Sequence, residues 1–273
     1  MSATLLTLTW RGIRRGLTGL AALCAAIAAF TFVQPLVIAS FGGAGAMDAI
    51  MSRVPPAFQA FARTRPEFLA MTGLPGYLSL GFTHPIFIVM AGAAVISYTA
   101  RVLAGEMASG SLQIPLSRDI SRTTVYLSCV AGASFICLIV SVVGPVGMLA
   151  GLAYADPGPF PAGHLVAVGI DTFALLWAIA GLSLLFSAAA SNAGRVVGWS
   201  LGLLLISYFI DYFAGVWKPL ERVLFLSLFE YFTPTPTLVN GVADPRAVST
   251  LLITGGLAFI AGWAVFHQRD LPG

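Results

Sequence analysis

Only 9% of the 273 residues are charged. One stretch between two apolar segments nevertheless gathers Arg101, Glu106, Arg118, Asp119 and Arg122. It reads Gly105-Glu106-Met107-Ala108-Ser109-Gly110-Ser111-Leu112-Gln113-Ile114-Pro115-Leu116-Ser117-Arg118-Asp119-Ile120-Ser121-Arg122. The chemistry available here is recognition. A carboxylate and guanidiniums offer charge-assisted hydrogen bonds, roughly twice as strong as neutral ones, and Leu112, Ile114 and Leu116 add apolar contact. Gly110 and Pro115 break the pattern into short pieces. Nothing elsewhere assembles a reaction centre. His84, His164 and His267 share no metal-ligand spacing, no serine sits in a nucleophile elbow, and the single lysine, Lys218, belongs to no phosphate-binding loop. The chain is expected to be no enzyme, to hold no metal, and to bind no cofactor itself.

The elements that position this insert are apolar. Hydrophobic residues make up 58% of the chain, whereas a soluble domain carries about 25% charged residues. Several runs reach the roughly 20 residues that cross a bilayer as a helix. They are too long and too uniformly apolar for barrel strands. The expected fold is all-α: one transmembrane domain over 1–273 with about six spans near 17–40, 79–101, 125–152, 164–190, 196–216 and 247–267. Pro35, Pro85 and Pro145 fall within these spans, where proline implies a local kink. Cys24, Cys129 and Cys137 lie in apolar runs and read as packing residues. The first run extends to Ser40, too long for a cleaved signal peptide. A net charge of +3 gives no reason to expect nucleic acid as a partner.

Arginine distribution sets the expected orientation. With both termini cytoplasmic, Arg11, Arg14, Arg15, Arg101, Arg118, Arg122, Arg195 and Arg269 lie inside, together with the polar insert, in keeping with the positive-inside tendency. Leu6, Trp10, Ile13 and Leu17 repeat at helical spacing with Arg11, Arg14 and Arg15 on the other side, so an interfacial amphipathic helix is expected before the first span. The run 223–229 is too short to span and precedes Pro234 and Pro236, which points to a re-entrant or interfacial helix before the last span.

Two further patterns have both structural and functional readings. Gly194, Gly198 and Gly202 recur every four residues, which allows close approach of a helix, either within the chain or from a second one; Gly147 and Gly151 repeat the pattern once. Asp171 and Asp211 are carboxylates within spans, costly there and therefore candidate functional groups. They also sit near span ends, where interfacial exposure or a hydrogen bond to a neighbouring helix accounts for them. If they do act, the alternative reading is a secondary transporter or channel.

Glu106, Gly110 and the run Pro115-Leu116-Ser117-Arg118-Asp119-Ile120-Ser121-Arg122 leading into a span resemble the cytoplasmic loop of ABC-2-type transporter permeases. The chain is similar to that family also in length, span count, N-terminal amphipathic helix, the apolar half-segment before the last span, and the ending Arg269-Asp270-Leu271-Pro272-Gly273. It departs at Leu127-Ser128-Cys129, where the family often carries a lysine. The resemblance implies that the insert is a coupling helix. Glu106, Gly110, Leu112, Ser117, Arg118, Ser121 and Arg122 would dock into a separate ATPase subunit that binds ATP and Mg. A second permease chain, identical or related, would complete an exporter in the plasma membrane.

Overall fold

The computed structural model describes residues 2–51, 53, 66–112, 117, 120–214 and 217–269. Runs of Ala, Leu, Ile and Phe become helices because, away from water, each backbone N–H and C=O needs a partner inside its own segment. In chain order these are α1 (Ser2–Arg14), α2 (Leu17–Ser40), α3 (Ala44–Met51), α4 (Pro66–Thr83), α5 (Pro85–Thr99), α6 (Arg122–Ala155), α7 (His164–Ala189), α8 (Ala193–Ala214), α9 (Pro234–Asn240) and α10 (Pro245–Gln268). α5 continues through a π turn, Ala100–Gly105, into a last α-helical turn, Glu106–Ala108. Six helices are long and apolar enough to cross a membrane: α2, α5 with its extension to Ala108, α6, α7, α8 and α10. The chain is a multi-pass, all-helical membrane protein.

Local signals explain where the spans begin. His84 Nδ1 accepts the Ile86 amide at 3.2 Å and Pro85 occupies the first turn, the position proline favours. The second span therefore starts at Pro85 rather than near 79, and Pro85 opens the helix instead of kinking it. Ser121 Oγ accepts the Thr124 amide at 3.1 Å to start α6, and Asp244 Oδ1 accepts the Arg246 amide at 2.9 Å to start α10. Pro35 and Pro145 do lie inside α2 and α6. The apolar run 223–229 forms parts of two 3-10 segments, Lys218–Leu226 and Leu228–Tyr231. Ser207 of α8 holds their junction, its Oγ accepting the Leu228 amide and its carbonyl accepting the Ser227 hydroxyl, both at 2.8 Å.

Two glycine seams bring the bundle together. A Cβ on Gly151 would lie 2.3 Å from the Phe32 carbonyl oxygen, and one on Gly147 would lie 2.5 Å from that of Ala28, so α6 rests directly on the α2 backbone. A Cβ on Gly181 of α7 would likewise lie 2.3 Å from the Gly255 oxygen of α10. Around the seams pack buried aromatics, with Phe82 edge-on to Phe87 at 5.2 Å and Tyr126 donating to the Phe259 carbonyl at 2.9 Å.

Candidate functional site

The polar insert begins where span two loses its α-helical register. Ala104 N–H and the Thr99 carbonyl, five residues apart, would bond directly in a π turn. The Ser187 hydroxyl of α7 bridges the two, accepting from Ala104 at 3.0 Å and donating to Thr99 at 2.7 Å. A side chain inserted into the ladder is a known cause of local helix distortion. The Thr99 hydroxyl also meets Ser183 at 2.6 Å, and Ser200 of α8 donates to Ser183 at 3.0 Å. A buried hydroxyl chain thus joins α5, α7 and α8 beneath the insert.

Glu106 follows the π turn and forms an ion pair with Arg15, which stands at the end of α1. Its carboxylate is mostly covered, whereas Arg15 is about half exposed. The Arg101 side chain lies against the backbone of Gly16, where any Cβ would collide with its guanidinium. Thr9 of α1 donates to the Ser128 carbonyl of α6 at 3.3 Å. Glu106 therefore fastens the amphipathic helix to the insert. After it, the chain turns: Leu112 N donates to the Glu106 carbonyl at 3.2 Å and buries its side chain in the core, and Gly110 adopts φ 70°, a left-handed conformation suited to glycine.

The far end of the insert is fastened equally well. Ser121 is the cap of α6. Arg122 donates to the carbonyls of His267 at 3.1 Å and Arg269 at 2.7 Å, at the C-terminal end of α10. Arg269 in turn donates to Ala188 and Ala190, both at 2.7 Å, at the end of α7. Cations belong at helix C-termini, where carbonyls are unpaired and the dipole is negative. Of the seven residues assigned to partner contact, Glu106, Leu112, Ser121 and Arg122 serve the chain itself, while Gly110 and Ser117 are exposed. Arg118 lies outside the described residues, as do 113–116 and Asp119. Sequence reasoning missed Ser187, a serine like many others, and gave Arg15 and Arg269 no specific contact.

The other candidates sit apart from this corner. Asp171 is wholly buried, and its Oδ2 accepts the Thr233 amide at 3.1 Å and the Thr237 hydroxyl at 3.5 Å. It thereby holds the N-terminal end of α9, whose far end is held by the Leu238 carbonyl on His164 Nδ1 at 2.7 Å. Asp211 is half-buried near the end of α8. Among the described residues Gly198 and Gly202 have nothing within 4 Å of a Cβ position, and Gly194 meets only Asn192 of its own turn. Among the described residues the stripe therefore makes no close approach to another helix, whereas the less prominent Gly147 and Gly151 do. An outward-facing groove of about 510 Å³ between α6 and α7 is lined by Leu138, Val142, Val146, Leu149, Val166 and Ile170, among others. Among the described residues no three His, Cys, Asp or Glu side chains gather as a metal would require.

No protein-family model matches the chain, and no curated protein matches it either.

Proposed function

We propose that the chain is the permease subunit of an ATP-binding-cassette transporter of the ABC-2 type. Two copies, or this chain with a related one, pair with two ATPase subunits and export a substrate across the plasma membrane. ATP and Mg bind to the partner, and both termini and the polar insert face the cytoplasm. The observation that supports this reading is the anchoring of the insert at both ends. A displacement of its exposed turn passes through Glu106 to Arg15 and α1, through Ser187 to α7, and through Arg122 to α10. A loop of that kind transmits work to several spans instead of absorbing it. The path for substrate runs between the two permease chains along α8 and α2, the least buried spans at 17% and 22%. The segment 218–231 lies at the outer interface.

The test is co-expression and co-purification with a candidate ATP-binding-cassette ATPase subunit, followed by transport and hydrolysis assays in vesicles. Ser109→Trp, Ser117→Trp and Arg118→Glu alter the insert while leaving Glu106, Arg15, Ser187 and Arg122 unsubstituted. Loss of transport-coupled hydrolysis with unchanged thermal unfolding is expected. Normal coupled turnover in all three variants would overturn the assignment. A gradient-driven transporter using Asp171 and Asp211 has less behind it, because the Asp171 carboxylate is engaged in holding α9.

A further inference from the structure

α1 divides into three faces. Gly12 and Ile13 are buried against the bundle, with Thr9 reaching α6. Leu6 and Trp10 form an apolar ridge, 67% and 55% exposed, and Leu17 continues it into α2. Thr7, Trp10, Arg11, Arg14 and Arg15 share the third face at helical spacing and line an open groove of about 470 Å³. Arg15 is neutralised by Glu106, but Arg11 and Arg14 make no ion pair with any described residue. Two guanidiniums without an ion-pair partner among the described residues thus stand beside an exposed indole, on a helix that runs into a membrane span after a two-residue turn.

We propose that this face is a binding site for an anionic glycerophospholipid. The lipid's phosphate sits between Arg11 and Arg14, its glycerol backbone against Trp10, and its acyl chains along Leu6 and Leu17. Three features define the occupant. Guanidinium forks match phosphate oxygens in pairs. Indole favours the boundary between headgroup and hydrocarbon. The apolar ridge is adjacent to the cations, so one ligand must be charged at one end and apolar at the other, which a free phosphate or an acidic peptide is not. The chemistry concerns this chain alone and does not depend on the transporter reading. One consequence is that the lipid and Glu106 hold adjacent arginines of one helix, so the anionic headgroup and the insert position α1 together.

The test is native mass spectrometry of the detergent-purified chain titrated with phosphatidylglycerol and, separately, phosphatidylcholine of the same acyl chains. Phosphatidylglycerol should bind in preference. Arg11→Gln/Arg14→Gln should lower its apparent affinity about thirtyfold, about fivefold per arginine near the surface. Arg11→Lys/Arg14→Lys should restore much of it, and Arg195→Gln, an exposed arginine elsewhere, should leave it unchanged. Millimolar inorganic phosphate should not displace the lipid; displacement would mean an anion site without lipid specificity and would overturn the proposal. Equal affinity for both lipids would do the same. So would unchanged phosphatidylglycerol binding in the double glutamine variant with a native melting profile. If that variant keeps its lipid but loses a co-purifying protein, the face belongs to a protein partner.

Discussion

Replacing Gly151 with alanine should destabilise the protein, whereas the same change at Gly198 should not. At Gly151 the new methyl meets the Phe32 backbone oxygen at 2.3 Å. A backbone carbonyl cannot swing aside as a side chain can, so α2 must retreat by about 1 Å along the seam, forfeiting a quarter to a half of the dispersion well for the contacts it loosens. Overpacking of this kind costs about 1–3 kcal/mol. Against it stands a gain of about 1 kcal/mol for alanine over glycine inside a helix. The expected net loss is up to about 2 kcal/mol, or up to about 8 °C in melting temperature for a chain of this size. Gly147→Ala/Gly151→Ala should lose more than either alone. At Gly198 and Gly202 none of the described residues lies within 4 Å, so only the helix gain remains and Gly198→Ala should melt at the same temperature or higher. Thermal unfolding of detergent-purified protein, followed by intrinsic fluorescence, measures both. A loss at Gly198→Ala as large as at Gly151→Ala would refute the assignment of the seams. Gly198→Leu extends the test to assembly: it should leave the single chain's melting intact but abolish cross-linking of two copies through α8.

A double-mutant cycle on Arg15 and Glu106 should return a coupling of about 0.5–1 kcal/mol, given a half-exposed arginine, and Arg15→Glu/Glu106→Arg should recover part of what Glu106→Arg loses. Ser187→Ala leaves the Ala104 amide without its buried acceptor, costing about 1–3 kcal/mol; hydrogen exchange at that amide should accelerate, and unchanged protection would remove Ser187 from the π turn. Asp171→Ala should cost a similar about 1–3 kcal/mol through the Thr233 amide, while Asp171→Asn keeps an acceptor and should preserve transport; abolished transport in Asp171→Asn with normal stability would favour the gradient-driven alternative. His84, just outside span two, is pushed below its ordinary pKa by burial. The folded protein thus favours neutral imidazole, the form that caps Ile86. The stabilisation is fully present above about pH 6.5, the unfolded value, and is lost as pH falls through the lower folded value; His84→Asn, which keeps an N-cap acceptor, should flatten that part of the melting-versus-pH curve.

The fold class was legible because membrane insertion depends on residue sums. Length and apolarity over about 20 residues decide whether a segment crosses, and no tertiary information enters. All six spans were found this way, and the one misplaced start, at Pro85, turned on the cap that the His84 ring offers to the amide two residues after it. Charge placement along the chain was equally legible, and it marked the insert, α1 and their arginines. What each charge touches was not. Glu106 and Arg15 are separated by 91 positions and Arg122 and Arg269 by 147, and no local pattern distinguishes an arginine that caps a distant helix from one that waits for a partner. The two glycine patterns make the same point. Gly194, Gly198 and Gly202 form the longer repeat, yet Gly147 and Gly151 carry the close approach, because spacing fixes only that glycines share a face. Which helix lies opposite that face is decided by the packing of the whole bundle.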